Sequence, residues 1–505
     1  MRKIFSGTAE MERRVKESVG FPPALMMENA SAELEKTVLS AAGQNGADRI
    51  LIAAGRGNNG ADGIALARRL YGKIQVELTL TGVPSTEEAR LQLVMARNAG
   101  IVPVTAEKFC ASLGSGKSVA VDCLYGTGFR GTLSGNDALI VEKMNVADAF
   151  RVACDIPSGL NTEGNSGLSQ GEGTVFRADI TVTMGTLKEA LFSDTAAEFT
   201  GEIITAGLGV SGNVFESYGI PSAFLIEKTD MILPLRRKRN VHKGTFGHTA
   251  VIAGEKSGAA IIAAQSALNF GSGLVTLIKR QNGDFSPFTV PPELMVSDSI
   301  PQRTTAIVAG PGLGTGNAEN SFALIENFLL TSGIRPALVL DADILKSDGT
   351  GEFLRNSEGK TAGTVLTPHP AELAMLAEKI GIGKFTAEEA AARRAEIGRK
   401  FTELFPDCVI VMKGAVTFIS SKGKTMICAD GNQSLSKAGS GDVLAGMCGA
   451  LLAQGYSAEN AAVTSVEAHA LASSCEENAG SYSLTPQKLI DKIASFQDAA
   501  TIHHN

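Results

Sequence analysis

Short β-branched runs that end in Gly, Asp or Pro recur along the chain, and this rhythm limits the folds open to it more than any other feature. RILIAAG from Arg49, IQVELTL from Ile74, SVAVD from Ser118, RVACD from Arg151 and DITVTMG from Asp179 read as buried parallel strands, apolar on both faces because helices cover each side. The segments between them, such as Ala61 to Leu70 and Ala89 to Ala99, carry helical spacing. Alternation of β and α predicts a doubly wound sheet with its site at the strand C-termini. The pattern weakens from Gly219 through Lys243, where Pro221, Pro234 and a basic run from Arg236 to Arg239 stand, and then restarts with HTAVIAG, TAIVAGPG, ALVLDAD, GTVLTPH and CVIVMKG. We place the boundary near residue 230 and read domains 1–225 and 226–505, a division that suits 505 residues. The halves share a rhythm without a residue-level repeat, so two different α/β domains with two active sites are expected.

Charge and cysteine usage narrow the partners. A formal net charge of −7, with acidic residues spread throughout, sets up no field that attracts nucleic acid or an anionic membrane, so small molecules are the expected ligands. The basic run reads as a solvated interdomain segment. Seven cysteines form no CxxC pair, as in a reducing compartment, and the first twenty residues lack the apolar core of a signal or anchor. Cytoplasmic residence is the expectation, with assembly as a homo-oligomer.

Two phosphate-loop look-alikes fail on context. LGSGKS at Leu113 to Ser118 precedes a strand instead of following one, and Ala111 stands where the first glycine of a P-loop belongs. Gly207, Gly209 and Gly212 form GxGxxG after EIITA, but the following NVFESYGIPS has no sustained helical stripe and is read as a loop.

Three successive strand ends in the N-terminal half carry polar, glycine-rich loops: GRGNNGADG (55–63), VDCLYGTGFRG (121–131) and CDIPSGLNTEG (154–164). The first leads into a helix, which puts free backbone amides beside a helix N-terminus and suits an anion. Asn58, Asn59 and Asp62 add groups for phosphate, ribose or a hard cation. Asp155 is the candidate acid or base, against the plainer role of a turn carboxylate. Lys188 is a candidate for electrostatic assistance, although a lone lysine after a strand reads first as surface.

In the C-terminal half, SKAGSGDVLAGMCGALLAQG (436–455) places Gly439 and Gly441 before a long apolar helix, so amides and helix dipole can meet a phosphate. Asp442 on that turn would be repelled by phosphate unless it serves as a base toward an attacking hydroxyl. A first-turn cap is the plainer alternative, and it leaves the glycines unexplained.

LMMENA from Leu25, GRGNNGADG, VDCLYGTGFRG, DIPSG and TMGTLK resemble, in order, the NAD(P)H-hydrate epimerases, Rossmann-like three-layer sandwiches. The resemblance implies contacts to hydrated cofactor from Asn58, Asn59, Gly60, Ala61 and Asp62, from Gly126, Thr127, Gly128, Phe129, Arg130, Gly131 and Thr132, and from Asp155. It assigns potassium to Asn59, Asp122 and Ser158. Ala61 departs from the family's second glycine, and its methyl is expected to tighten the loop. AGSGD resembles the ribokinase-like superfamily. HKGTFGHTAVIAG from His242, PPELM from Pro291, AGPGLG from Ala309, LDAD from Leu340, LTPHPAE from Leu366 and VMKGAVT from Val411 resemble its NAD(P)H-hydrate dehydratase branch. That implies ADP along Lys413, Gly414, Ala415, Val416 and Thr417, and along Asn432, Ser436, Gly439, Ser440 and Gly441. The hydrate would meet Ala253, Gly312, His369 and Asp442. Asp341 and Asp343 are read either as turn caps or as magnesium-handling groups acting through water. Repair of hydrated NADH and NADPH, using ADP with magnesium and potassium, is the implied activity. A small-molecule kinase is its nearest rival, and a nucleotide sensor without turnover is the rival from another class.

Overall fold

The computed structural model describes residues 1–161, 173–279, 290–314, 316–475 and 482–502; Thr162, Glu163 and Gly164 of the third N-terminal loop lie outside them. Two compact units emerge, Arg2–Phe224 and Leu225–Asn505 together with Met1. The sheets are largely parallel with covering helices, as the alternation predicts, and each unit is α/β.

In the first unit six parallel strands lie in the order Gln75–Leu80, Arg49–Ala54, Ser118–Cys123, Ala149–Cys154, Ile180–Met184, Glu202–Ala206. Side chains alternate across the sheet, and the two resulting cores explain the uninterrupted apolar runs. Ile50, Ile52, Val119 and Val121 pack with Leu34, Val38 and Ile64 of helices Pro23–Asn45 and Asn58–Leu70. Leu51, Ala53 and Ala120 pack with Phe109, Ile140 and Met144 of helices Ala106–Leu113 and Gly135–Val146. The chain runs from strand Arg49–Ala54 outward to Gln75–Leu80, then returns to Ser118–Cys123 on the other side. Loops after the two central strands therefore diverge and leave a crevice, the switch point where open α/β sheets bind ligands.

One expectation is corrected here. NVFESYGIPS is not a loop throughout: Gly212–Ser217 forms a helix of fewer than two turns, because Phe215, 2% exposed, buries in the core and tertiary packing supplies what the weak stripe lacks.

The second unit repeats the logic with different residues. Seven parallel strands run Met295–Ser297, Leu274–Ile278, His248–Ile252, Ala306–Ala309, Ala337–Leu340, Thr364–Leu366, Cys408–Met412, and an antiparallel hairpin, Thr417–Ser421 with Lys424–Cys428, extends them. Its switch point lies between His248–Ile252 and Ala306–Ala309. There Lys256 N donates to Gly312 O at 2.9 Å, so the two loops are tied together. Helix Ser440–Ala453, buried from Val443 to Ala453, packs on helix Ser257–Asn269. A β-carbon on Gly446 would lie 2.1 Å from Ala263 O, so the absence of a side chain sets the helix spacing.

Gly446→Ala should therefore force these helices apart at an overpacking cost of about 1–3 kcal/mol. Calorimetry of the full chain should show a lowered unfolding transition; an unchanged profile would mean the helices are not held at this spacing.

Candidate functional sites

The N-terminal crevice is a cleft of about 730 Å³. Its lining contains Asn58, Asn59, Asp62, the Leu124–Phe129 loop and Asp155, while Met26, Met27 and Leu208 supply apolar surface. The loops can meet because Gly55 N donates to Cys123 O at 3.0 Å; a β-carbon on Gly55 would lie 1.9 Å from Leu124 O. The other residues read from the sequence stand apart from this lining. Gly60 and Ala61 are buried, and the Ala61 methyl packs with Met27 and Ala89, so it contributes to the core and does not line the cleft. Arg130, Gly131 and Thr132 are exposed, and the Arg130 guanidinium turns back to Thr127 O and Phe129 O.

Asp122 and Ser158 come together in the interior. Ser158 N and Oγ donate to Asp122 at 2.7 Å each, and Leu124 N donates at 3.1 Å. Burial, partly offset by these donors, pushes Asp122 up to about 6. Both amide atoms of Asn59 are buried with no hydrogen-bond partner among the described residues. An unmet buried amide costs about 1–3 kcal/mol, a cost that a ligand or cation would relieve.

Asp155 sits at the end of strand Ala149–Cys154 with φ +69°, a left-handed conformation unusual for a residue with a side chain. Its Oδ1 pairs with the Lys188 ammonium at 2.7 Å and accepts Met184 N at 3.2 Å. Lys188 is 1% exposed, which corrects its reading as a surface lysine: the carboxylate compensates its charge inside the protein. Burial, reinforced by the neighbouring Asp155, holds the Asp62 carboxyl well above the usual range.

The C-terminal site assembles around the N-terminus of helix Ser440–Ala453. Gly439, with φ +94°, turns the chain into it. Lys413 at the end of strand Cys408–Met412 reaches Asp341 Oδ1 at 2.9 Å, and its Nζ lies 3.3 Å from where a β-carbon on Gly441 would sit. Thr367 Oγ1 donates to the same Asp341 oxygen at 2.7 Å. Asp341 makes no side-chain cap to the turn that follows it, while Asp343 accepts Gly314 N at 2.9 Å and Lys346 Nζ at 2.9 Å. Although burial opposes its charge, Asp341 and Glu372 hold the Lys413 ammonium above the ordinary lysine value. Asp442 takes the opposite course: burial, reinforced by Asp341 and partly offset by Lys413, pushes it up to about 7. A carboxyl poised near neutrality suits proton abstraction.

The remaining residues read from the sequence take varied positions. Ala253 is buried at the end of strand His248–Ile252, and Gly312 lies in the facing loop. Gly414, Ala415 and Ser436 are exposed, and Val416 is buried. Thr417 opens the hairpin strand. The Asn432 amide is spent on Ser434 N and Ser473 O, and the Ser440 hydroxyl on Leu435 O, so both shape the loop. His369 caps helix Pro370–Lys379; Glu372 engages both ring nitrogens while the side chain stays 48% exposed. Two groups escaped sequence reading. His469, in the apolar helix Ala458–Ser474, is pushed down to about 4 by burial and donates from Nε2 to Ser440 O at 2.9 Å, at the first turn of helix Ser440–Ala453. Arg394, 2% exposed, donates to Val416 O and Lys413 O and braces the loop from below.

The family model described as YjeF-related protein N-terminus matches residues 23–190, and that described as NAD(P)H-hydrate dehydratase matches 249–495. The bifunctional NAD(P)H-hydrate repair enzyme Nnr of Helicobacter pylori is 35% identical over 494 residues, covering 98% of this chain and 99% of the relative. The chain belongs to the bifunctional NAD(P)H-hydrate repair enzyme family. The repair enzyme of Escherichia coli K12 is 31% identical over 439 residues, 84% of this chain and 79% of that relative. Among solved structures, the ADP/ATP-dependent NAD(P)H-hydrate dehydratase of Bacillus subtilis, co-crystallised with ATP and Mg2+, is 26% identical with a TM-score of 0.45, covering 52% of this chain and 93% of that one. Among the described residues, no helix is long and apolar enough to cross a membrane.

A base role for Asp442 predicts a pH dependence for this repair enzyme. The base form accumulates as pH rises through about 7, so dehydration should climb to a plateau on the alkaline side. Because Lys413 favours the ionised form, Lys413→Met should move the inflection to higher pH at saturating nucleotide. Rate–pH profiles check both statements; a flat wild-type profile from pH 6 to 8 would remove Asp442 as the titrating base.

Proposed function

We propose that the N-terminal unit interconverts the R and S hydrates of NADH and NADPH, and that the C-terminal unit dehydrates the S form with ADP as phosphoryl donor, releasing AMP and phosphate. The observation that carries this reading is Asp442: a half-buried carboxyl raised to about 7, on the first turn of a glycine-fronted helix and beside the Lys413 ammonium.

In the dehydratase half, Asp442 takes the proton of the hydrate hydroxyl, and the oxygen attacks the terminal phosphoryl of ADP, displacing AMP. The bond from carbon to the phosphorylated oxygen then breaks, with the ring nitrogen supplying electrons, and loss of a proton from the neighbouring carbon restores the dihydronicotinamide. Hydroxide is a poor leaving group and phosphate a good one, which gives the nucleotide its chemical purpose. Lys413, the backbone amides from Gly439 and the helix dipole receive the negative charge on the transferred group. His469 and Arg394 hold that turn and the Lys413 loop in place.

In the epimerase half, the hydrated carbon bears both a hydroxyl and the ring nitrogen. Asp155 takes the hydroxyl proton as the carbon–nitrogen bond opens, and the nitrogen gains a proton. Reclosure on the other face of the carbon inverts it, with the protons returned. Asp62, whose burial favours the protonated form, is placed to supply and recover the second proton.

The residues present fit both cations. Magnesium, when bound, would neutralise charge on the ADP phosphates; Asp341, whose protein partners both go to Oδ1, and Asp343 would hold it through water. Potassium, when bound, would screen the phosphates of the hydrated cofactor, with the unpartnered Asn59 amide, Asp122 and Ser158 as its holders. In this reading the enzyme works in the cytoplasm, where its free cysteines stay reduced, as a homo-oligomer. The kinase alternative would leave the N-terminal cleft and Asp155 without a task.

Asp442→Asn should abolish ADP-dependent recovery of dihydronicotinamide absorbance by a factor of about 100 or more while nucleotide still binds. Asp155→Asn should halt R–S exchange, followed by NMR without nucleotide. Unaffected turnover in Asp442→Asn would refute the dehydratase assignment and favour a binding protein.

A further inference from the structure

Lys188 is a buried cation of the N-terminal site, 1% exposed, and its surroundings define what it can do. An ammonium carries three N–H donors. All three have acceptors inside the protein: Asp155 Oδ1 at 2.7 Å, Met184 O at 2.7 Å and Thr183 Oγ1 at 2.9 Å. With 1% exposure and no place in the cleft lining, it has neither a free donor nor a path to substrate. The same contacts act on Asp155. Its backbone is strained at φ +69°, and its Oδ1 is gripped by Lys188 and by Met184 N. Asp155 lines the cleft, and its Oδ2 lies 2.8 Å from where a β-carbon on Gly126, another lining residue, would sit.

We propose that Lys188 is the positioning residue of the N-terminal site: it fixes Oδ1 of Asp155 from the protein side, so that Oδ2 alone meets the substrate, in one orientation. The inference rests on the reading of Asp155 as the acid–base group. A carboxylate free to rotate about its last torsion would offer either oxygen over a broad range of angles. The ammonium removes that freedom. The strained backbone places the carboxylate, and the lysine orients it.

The test is steady-state R–S exchange by the full-length enzyme, with Lys188→Ala and Asp155→Asn compared in parallel. Lys188→Ala should lower kcat about 100-fold, with KM for the hydrate changed by less than about threefold, because binding groups are untouched while the proton carrier is misaimed. Added propylamine should restore at least about tenfold of that loss by refilling the truncated site with a cation, whereas propanol should not. Should Lys188→Ala lack a cooperative melting transition, Lys188→Met, which keeps the side-chain stem, carries the same comparison of kcat with KM. An unchanged kcat, a loss confined to KM, or equal rescue by propanol would overturn the positioning role while leaving Asp155 in place. Full exchange by Asp155→Asn would instead remove the acid–base reading on which it rests.

Discussion

An ammonium enclosed by protein costs several kcal/mol unless a carboxylate meets it, and each site in this chain is organised around such a pair. Lys188 joins Asp155 at 2.7 Å in the N-terminal unit, and Lys413 joins Asp341 at 2.9 Å in the C-terminal unit. The two pairs have opposite consequences for the carboxyl assigned to proton transfer. Asp155 belongs to its pair, with Oδ1 held by the lysine. Asp442 stands outside the other pair; Lys413 is already committed to Asp341, and burial raises Asp442 to about 7. One unit thus joins its proposed acid–base carboxylate to a buried ammonium, while in the other burial raises the carboxyl to about 7.

Both pairs stand at strand ends because a doubly wound sheet leaves them no other place. Its faces are covered by helices and its strands are apolar on both sides, so polar chemistry gathers where strands give way to loops. Strand order reverses once beside Arg49–Ala54 and once beside His248–Ile252. Close backbone approach fixes each crevice, by Gly55 against Leu124 in one unit and by Gly254 against Leu313 in the other. The halves share this solution without sharing residues, which accounts for a common rhythm and no repeat.

The strands, the doubly wound class and the glycine-rich ends were legible because each follows from local pattern: burial on two faces, helical spacing, and glycine where chains approach. Residues whose importance comes from distant partners were not. Lys188 reads as a surface lysine until the fold brings Asp155 beside it, and His469 and Arg394 sit in helical patterns with nothing local to mark them. Gly212–Ser217 is a helix because Phe215 finds a core, a tertiary cause invisible in a weak stripe. Asp442 was legible as a base candidate from AGSGD, yet its ionisation near neutrality depends on burial and on Asp341, far away in sequence.

The most direct measurement is the extent to which dihydronicotinamide absorbance recovers when the wild-type enzyme receives mixed R and S NADH hydrates, ADP and magnesium, with AMP and phosphate assayed alongside. Two working sites predict complete recovery, faster than spontaneous epimerisation, with one AMP and one phosphate for each cofactor restored. Recovery that stops at the S fraction would contradict the epimerase half of the account, and no ADP-dependent recovery would contradict its centre.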